Sequence, residues 1–179
     1  MKRITFLLCV VILCSSCTVA VRKEPFQWPA TVDYVEGSGD MDLSWKGRTF
    51  SGSFAVRSES LSLFFFEVYG PFGQTLLQVK KQGEWVDILT GDGKRGSERL
   101  FEEHYGMNIN DFIDDLMMKG RTTETSEGDR IDRAGYRVLY SQRKDKPQIC
   151  WLNDGGSICL IFSDLTFTRD GQSGEGSRK

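Results

Sequence analysis

Histidine is nearly absent from this chain, and the pattern around the one histidine does not resemble a catalytic site. His104 is the one histidine in 179 residues, and no serine or cysteine nucleophile lies near it in the local pattern. Metal ligation needs His, Cys, Asp or Glu at short spacing, whereas the acidic pairs Glu102-Glu103 and Asp114-Asp115 fit the solvated faces of helices. A Gly-Asp-Gly-Lys segment lacks the full phosphate-loop spacing. We therefore expect no enzyme activity, no metal and no cofactor.

The chain also lacks an excess of positive charge. It has 23 Lys and Arg against 25 Asp and Glu, and loss of a leader with Lys2 and Arg3 would lower the formal net charge from −2 to −4. Binding to nucleic acid and electrostatic docking on anionic lipid both need clustered Lys and Arg, so we expect neither. The length fits a single domain, which we expect to be a monomer.

The first residues have the pattern of a secretory signal. Lys2-Arg3 precedes an uncharged apolar run, Ile4 to Leu13, that is too short to span a bilayer as a mature helix. The following Leu13-Cys14-Ser15-Ser16 stands directly before Cys17 and resembles a bacterial lipobox. That resemblance implies removal of residues 1–16 and diacylglyceryl attachment to the Cys17 sulfur. A soluble secreted product is the alternative.

The residues that flank the domain predict its location. By resemblance to enterobacterial lipoproteins, an aspartate after the lipidated cysteine retains a protein in the inner membrane. Thr18 is not such a signal, so we expect the periplasmic leaflet of the outer membrane. Residues 17–31 hold two prolines and little periodicity, which is typical of a lipidated tether. We assign 32–169 to the domain and 170–179, rich in Gly and Ser, to a disordered tail.

The most apolar stretch runs from Leu61 to Val79 and has a turn at its centre. Gly70, Pro71, Phe72 and Gly73 combine fixed and permissive backbone angles, which predicts a tight connection between antiparallel strands. The preceding run is apolar at successive positions, so we expect this strand to be covered on both faces or to line a cavity. Alternating patterns before and after it predict a mainly β fold with some helix (α+β).

Two helices are predicted after this strand region. Ser97 is a candidate N-cap and Gly106 a candidate end of the first helix. In the second, Asn110 is the expected N-cap and Lys119-Gly120 the expected end. Its apolar residues recur at helical spacing, which predicts a stripe that covers an open side of the sheet. The stripe consists of Phe112, Ile113, Leu116 and Met117.

Two cysteines flank a hairpin signal near the end of the chain. Asp154-Gly155 favours a two-residue type I′ turn. Counting outward from this turn places Cys150 across from Cys159 in a non-hydrogen-bonded pair, whose close approach suits a disulfide. The periplasm permits that bond, and two buried free thiols are the alternative.

The order of these segments resembles the LolB family of outer-membrane lipoprotein receptors. The resemblance rests on the lipobox, on YGPFGQTLLQV within a β-meander, and on SERLFEEHYGMNINDFIDDLMMKG after it, and it covers about residues 34–141. In that family a Gly/Asn-Pro-Leu-Gly segment stands where Gly70 to Gly73 stand here. This chain departs from the family pattern at Phe72, where leucine is common, at Ile109, where proline is common, and in having no tryptophan in the second helix.

The resemblance implies an unclosed antiparallel β half-barrel with a helical lid over an apolar cavity. That cavity would accept acyl chains of lipoproteins from a periplasmic LolA-like carrier and release them into outer-membrane lipid. Phe72, at the tip of its turn, would be an exposed membrane-facing residue; packing under a neighbouring loop is the alternative. Two other functions stay open, a sensor module that binds a protein partner and a structural envelope lipoprotein with a dry core. The candidate cavity residues are Phe54, Phe64, Phe66, Leu77, Phe112, Leu116 and Met117.

Overall fold

A computed structural model of the chain, which describes residues 26–59 and 61–168, contains one open antiparallel sheet and two helices in that part. In chain order the elements are β1 (Tyr34–Trp45), β2 (Arg48–Glu59), β3 (Leu63–Tyr69), β4 (Thr75–Gln82), β5 (Trp85–Thr90), β6 (Arg95–Gly96), α1 (Glu98–Tyr105), α2 (Ile109–Leu116), β7 (Thr123–Thr125), β8 (Gly128–Arg133), β9 (Tyr136–Arg143), β10 (Lys146–Asn153) and β11 (Gly156–Thr168).

The eleven strands form a single sheet in the order β6-β5-β4-β3-β2-β1-β11-β10-β9-β8-β7. The two ends of the domain meet in the middle of the sheet, because β1 pairs with β11 from Tyr34↔Thr168 to Trp45↔Gly156. The short strands β6 and β7 form the free edges, so the sheet does not close. The predicted mainly β, antiparallel and unclosed architecture is confirmed.

The sheet curves around α2. The ring of Phe112 lies 5.4 Å from that of Phe66 in β3 and 4.6 Å from that of Trp151 in β10, so the Phe66 and Trp151 rings are at most 10.0 Å apart. Four strand spacings separate β3 from β10. In a flat sheet the two strands would therefore lie about 19 Å apart. A shift in the β1–β11 register between Ser38 and Gly39 marks a bulge, a feature that bends a sheet.

The two faces of the sheet differ in polarity, and β3 shows how. Phe64 and Phe66 point to the concave side and are 1% and 2% exposed, whereas the alternate residues Phe65 and Tyr69 are half-buried on the convex side. The Lys80 ammonium lies over the Phe65 ring, 5.9 Å from its centroid. Of the two alternatives predicted for β3, cover on both faces is wrong, because the long Lys80 side chain, and not a second layer, lies over the convex Phe65 ring.

The helix α2 begins and ends earlier than predicted. The Asn108 side chain accepts a hydrogen bond of 2.8 Å from the backbone N–H of Asn110, so Asn108 and not Asn110 is the N-cap. This start places Ile109 in the helix, where it is fully buried. The helix ends at Leu116, and Met118 has a φ of 55° that ends helical geometry before Lys119. For α1, left-handed Gly106 ends the helix as predicted, and Ser97 stands at the N-cap position but its side chain makes no capping hydrogen bond.

The β10–β11 hairpin joins the two cysteines. Cys150 pairs with Cys159 in the register, and their sulfurs are bonded with a Cα–Cα distance of 4.1 Å. The loop has two residues, but the predicted type I′ turn is wrong, because neither of them has a positive φ and Gly156 after them does, at 146°. The Asn153 side chain stabilises this different turn by accepting the N–H groups of Gly155 and Gly156 at 2.8 and 3.1 Å.

Replacing both cysteines by serine should lower the free energy of unfolding by about 2–3 kcal/mol, since the bond closes a loop of only about ten residues. Urea unfolding of the oxidised protein and of Cys150→Ser/Cys159→Ser measures the difference. Reduction of the parent protein should reproduce the behaviour of the double variant. Equal stability of all three samples would contradict a stabilising bond.

Candidate functional site

The seven predicted cavity residues all lie on the concave side of the sheet or on the helical segment that faces it. Alternation puts the strand residues of this set on the same side as the Phe64 and Phe66 rings. All seven are nearly or completely buried, with exposures from 0 to 4%. The set is Phe54, Phe64, Phe66, Leu77, Phe112, Leu116 and Met117.

The aromatic members of this set form a packed part of the core and leave little space between them. The Phe112 ring lies 6.1 Å from Phe64 and 5.4 Å from Phe66, and Phe54 lies 6.3 Å from Phe66. Ring pairs at these distances are in contact. Of the seven residues, Leu77 alone also borders the pocket that the structure contains beside α1.

That pocket, here called the α1 pocket, has a volume of about 320 Å³ and opens between α1 and the ends of β4 and β5. Its base is apolar, with Leu77, Ile88 and Phe101 each at most 4% exposed. Burial raises the pKa of the Tyr105 hydroxyl to about 12. The lining residues are Leu76, Leu77, Ile88, Thr90, Gly91, Asp92, Lys94, Leu100, Phe101 and Tyr105.

The mouth of the α1 pocket is polar. The Lys94 ammonium contacts the Asp92 carboxylate at 2.7 Å, and the Thr90 hydroxyl also donates to it. Hydrogen bonds from Lys94 and then Thr90 hold the pKa of Asp92 at about 2. An apolar base below a charged rim is an arrangement that suits the chain of an amphiphile with its polar end at the opening.

The Phe72 turn lies on the same rim of the sheet as this mouth. The Gly70 N–H donates to the Gln74 carbonyl at 2.8 Å, the Gly73 N–H donates back to the Gly70 carbonyl at 2.9 Å, and Gly73 has a φ of 76°. This closed turn leaves Phe72 93% exposed. A hydrogen bond of 2.8 Å from the Gly91 N–H to the Leu76 carbonyl ties the neighbouring loop to the strand that leaves the turn.

A buried carboxylate attaches α2 to the other half of the sheet. Asp115 is fully buried and accepts hydrogen bonds from Arg133 Nε at 2.9 Å and from Tyr136 and Trp151 at 3.0 Å each. The Tyr140 hydroxyl donates to the Asp115 carbonyl at 2.7 Å. These donors belong to β8, β9 and β10, so one helical residue connects three strands.

Burial raises the pKa of Asp115 above its ordinary value, although Arg133, Tyr136 and Trp151 all favour its charged form. Burial and the nearby Asp115 charge raise the pKa of Tyr136, and burial raises that of Tyr140. The prediction that Asp115 lies on a solvated helix face is wrong. Its partners come from strands that follow it by 18 to 36 residues, so the local acidic pattern holds no sign of them.

The segment that leads into β1 packs on the domain before the strand begins. Trp28 donates from its indole N–H to the Ser141 carbonyl at 3.2 Å, and Gln142 donates to the Phe26 carbonyl at 2.8 Å. The Trp28 ring lies 5.6 Å from that of Tyr140. Phe26 and Trp28, which belong to the segment assigned to the tether, therefore contact the domain. Cys17, the leader 1–16 and the tail 170–179 lie outside the described residues.

The predictions from sequence did not include most of the residues that line the α1 pocket. Leu100 and Phe101 fall between the predicted ends of the first helix, which says nothing of a pocket. They come to line one space with Ile88 only when α1 packs across β5. Within residues 26–59 and 61–168, no group of three or more His, Cys, Asp or Glu is placed to hold a metal. Neither of the two helices in these ranges is long and apolar enough to cross a membrane.

Comparisons of the chain with models of known protein families and with curated proteins found no match.

The stability of the protein should depend on pH through Asp115. Because its pKa is raised on folding, the folded state binds a proton more readily than the unfolded chain, whose Asp pKa is about 3.9. The free energy of unfolding should then fall as pH rises from that value through the raised pKa. Asp115→Asn should lack this fall. The measurement is the difference between the two unfolding profiles from about pH 3, below the unfolded-state pKa, to about pH 8.

The exposed pair of Glu103 with Arg99 provides a matched control. Glu103→Gln should leave the profile of the parent unchanged, because surface ion pairs contribute about 0–1 kcal/mol. Asp115→Ala should lower the free energy of unfolding by about 3–5 kcal/mol, since it removes the carboxylate partner of the Arg133 guanidinium. Parallel pH profiles for the parent and Asp115→Asn would contradict the raised pKa.

Proposed function

We propose that this chain is a LolB-like outer-membrane lipoprotein that accepts lipoproteins from a periplasmic LolA-like carrier and inserts them into the outer membrane. Acyl chains of the cargo enter the α1 pocket. Lipidation of Cys17 holds the protein on the periplasmic leaflet. The domain itself performs no covalent chemistry.

One observation carries this proposal, the apolar α1 pocket that opens on the same rim as the exposed Phe72 turn. A pocket with an apolar base suits a ligand whose protein part varies from one cargo to the next. Each CH₂ group that leaves water contributes about 0.8 kcal/mol without requiring a directional partner. A protruding apolar side chain beside the opening is suited to contact the membrane into which the acyl chain is released.

The size of the pocket limits what it holds as it stands. Its volume of about 320 Å³ is about twice that of an engineered cavity of about 150 Å³ that binds benzene. It therefore accommodates about a dozen carbon atoms, or part of one acyl chain. Lipoproteins carry several chains, so the proposal requires the pocket to widen.

We assign the widening to α1, which acts as the helical lid. Three of its residues, Leu100, Phe101 and Tyr105, form one wall of the pocket. In contrast, α2 is attached to β8, β9 and β10 through Asp115. Movement of α1 would open the pocket toward the packed rings of the concave face without breaking the buried network, and the predicted cavity residues would then line the wider space.

Substitution of Phe72 tests delivery separately from acceptance. Phe72→Glu should still accept a labelled lipoprotein from a loaded carrier, because the side chain is outside the pocket, but should lose most transfer to liposomes. Phe72→Leu, the matched control, keeps an apolar tip and should retain transfer. The assay follows cargo from carrier to protein and then to vesicles. Delivery by Phe72→Glu at the parental rate would exclude the turn as the membrane-contacting element.

Filling the α1 pocket tests the acyl site. Leu100→Trp should lower affinity for a dodecanoate probe by about tenfold or more, since loss of two buried CH₂ groups corresponds to about 1.6 kcal/mol. The control Leu139→Trp changes another half-buried leucine, on the convex side of β9, and should leave affinity unchanged. Calorimetric titration of the full chain measures both. Unchanged binding in Leu100→Trp would place the probe elsewhere.

The packed aromatic core favours a second candidate, a structural envelope lipoprotein of the same fold. Phe54, Phe64, Phe66 and Phe112 already contact one another, and a dry core requires no ligand. This candidate predicts that dodecanoate does not bind and that cargo stays on the carrier. The transfer assay therefore separates the two functions.

A further inference from the structure

A second group of exposed apolar side chains lies far from Phe72. Leu61, Leu63 and Trp85 are 37, 38 and 57% exposed, and we call them the Trp85 patch. Leu63 pairs with Gln82, which pairs with Trp85, so Leu63 and Trp85 share the convex face about 10 Å apart. The Gly83 N–H donates to the Ser62 carbonyl at 2.8 Å and ties the two turns of the patch together.

The Trp85 patch and the Phe72 turn lie on opposite rims of the sheet. Antiparallel neighbours alternate in direction, so the β2–β3 and β4–β5 turns share one rim and the β3–β4 turn lies on the other. The chain enters the sheet on the rim of the Trp85 patch, because Tyr34 at the start of β1 pairs with Glu59 at the end of β2. The docked segment that contains Phe26 and Trp28 leads into this entrance.

We infer that the Trp85 patch rests on the lipid bilayer that holds Cys17, so that in the absence of cargo the pocket mouth and Phe72 face the periplasm. This inference rests on the proposed lipid anchor. Residues 17–25 precede the described chain, and nine extended residues reach at most about 30 Å. An anchor this close to the entrance brings the entrance rim to the membrane before the opposite rim.

The chemistry of the patch agrees with lipid as its occupant. Tryptophan has an apolar body and a polar N–H, and it favours the interface between headgroups and acyl chains. The charged neighbours are mixed, with Lys80 paired to Asp87 in the register and Glu84 in the adjacent turn. Attraction to anionic headgroups is therefore weak, and shallow insertion of apolar side chains, assisted by the nearby anchor, provides the contact.

The proposed orientation has a consequence for transfer. With the Trp85 patch on the membrane, a soluble carrier meets the α1 pocket without having to pass between the domain and the bilayer. Delivery through Phe72 then requires the domain to turn over on its tether. Receiving and delivering thus use opposite rims of one sheet.

Site-specific quenching tests the resting orientation. The full lipidated chain is reconstituted without cargo in vesicles of phosphatidylethanolamine and phosphatidylglycerol with brominated acyl chains. A polarity-sensitive fluorophore is attached to one introduced cysteine, in Leu63→Cys, Glu84→Cys, Phe72→Cys or Ser53→Cys. The Glu84 site leaves the patch intact, and Ser53 is an exposed position within β2 that serves as the control. Native cysteines do not compete, since Cys150 and Cys159 are bonded and lipid blocks Cys17.

Quenching at positions 63 and 84 should be about twofold or more stronger than at 53 and 72, because interfacial side chains lie about 5–10 Å into the headgroup–acyl boundary. Quenching at 63 and 84 no stronger than at 53, or strongest at 72, overturns the inference. If the protein floats with the vesicles and transfers cargo but shows either of these two quenching patterns, the orientation alone is refuted. Protein that does not float refutes both the anchor and the inference. Quenching at the patch without cargo transfer supports the orientation and refutes the proposed transfer function.

Discussion

The buried Asp115 carboxylate is the interaction on which the arrangement of this domain depends. It connects α2 to β8, β9 and β10 through Arg133, Tyr136 and Trp151. Burying a carboxylate is costly unless charge and hydrogen bonds compensate it, so its partners must all be in place for the helix to dock. Once docked, α2 presents Phe112 to both halves of the sheet, and the sheet curves around that ring.

This attachment divides the concave face into two parts. Near Asp115 the helix and the aromatic rings of the sheet are in contact, and the space is filled. Beside α1, the α1 pocket lies between the helix and β5. Filled and open space thus occupy different parts of the concave face.

The rims of the open sheet give the domain a second asymmetry. Phe72 and the pocket mouth lie on one rim, and the chain entrance with Trp85 lies on the other. Phe72 sits on a turn, and Leu63 and Trp85 are the first residues of β3 and β5. In the lipid-anchored form proposed above, either rim could face a bilayer, and the position of the anchor would decide which one is favoured at rest.

Local chemistry in the sequence determined the antiparallel hairpins, the opposition of Cys150 and Cys159, and the approximate place of both helices, because strand alternation and turn residues act over a few positions. It did not determine the burial of Asp115, whose partners lie on three later strands. Nor could it separate the residues that fill the core from those that line the α1 pocket. Phe66 and Leu77 are equally apolar, and only the docking of helices on a curved sheet decided that one meets another ring and the other borders open space.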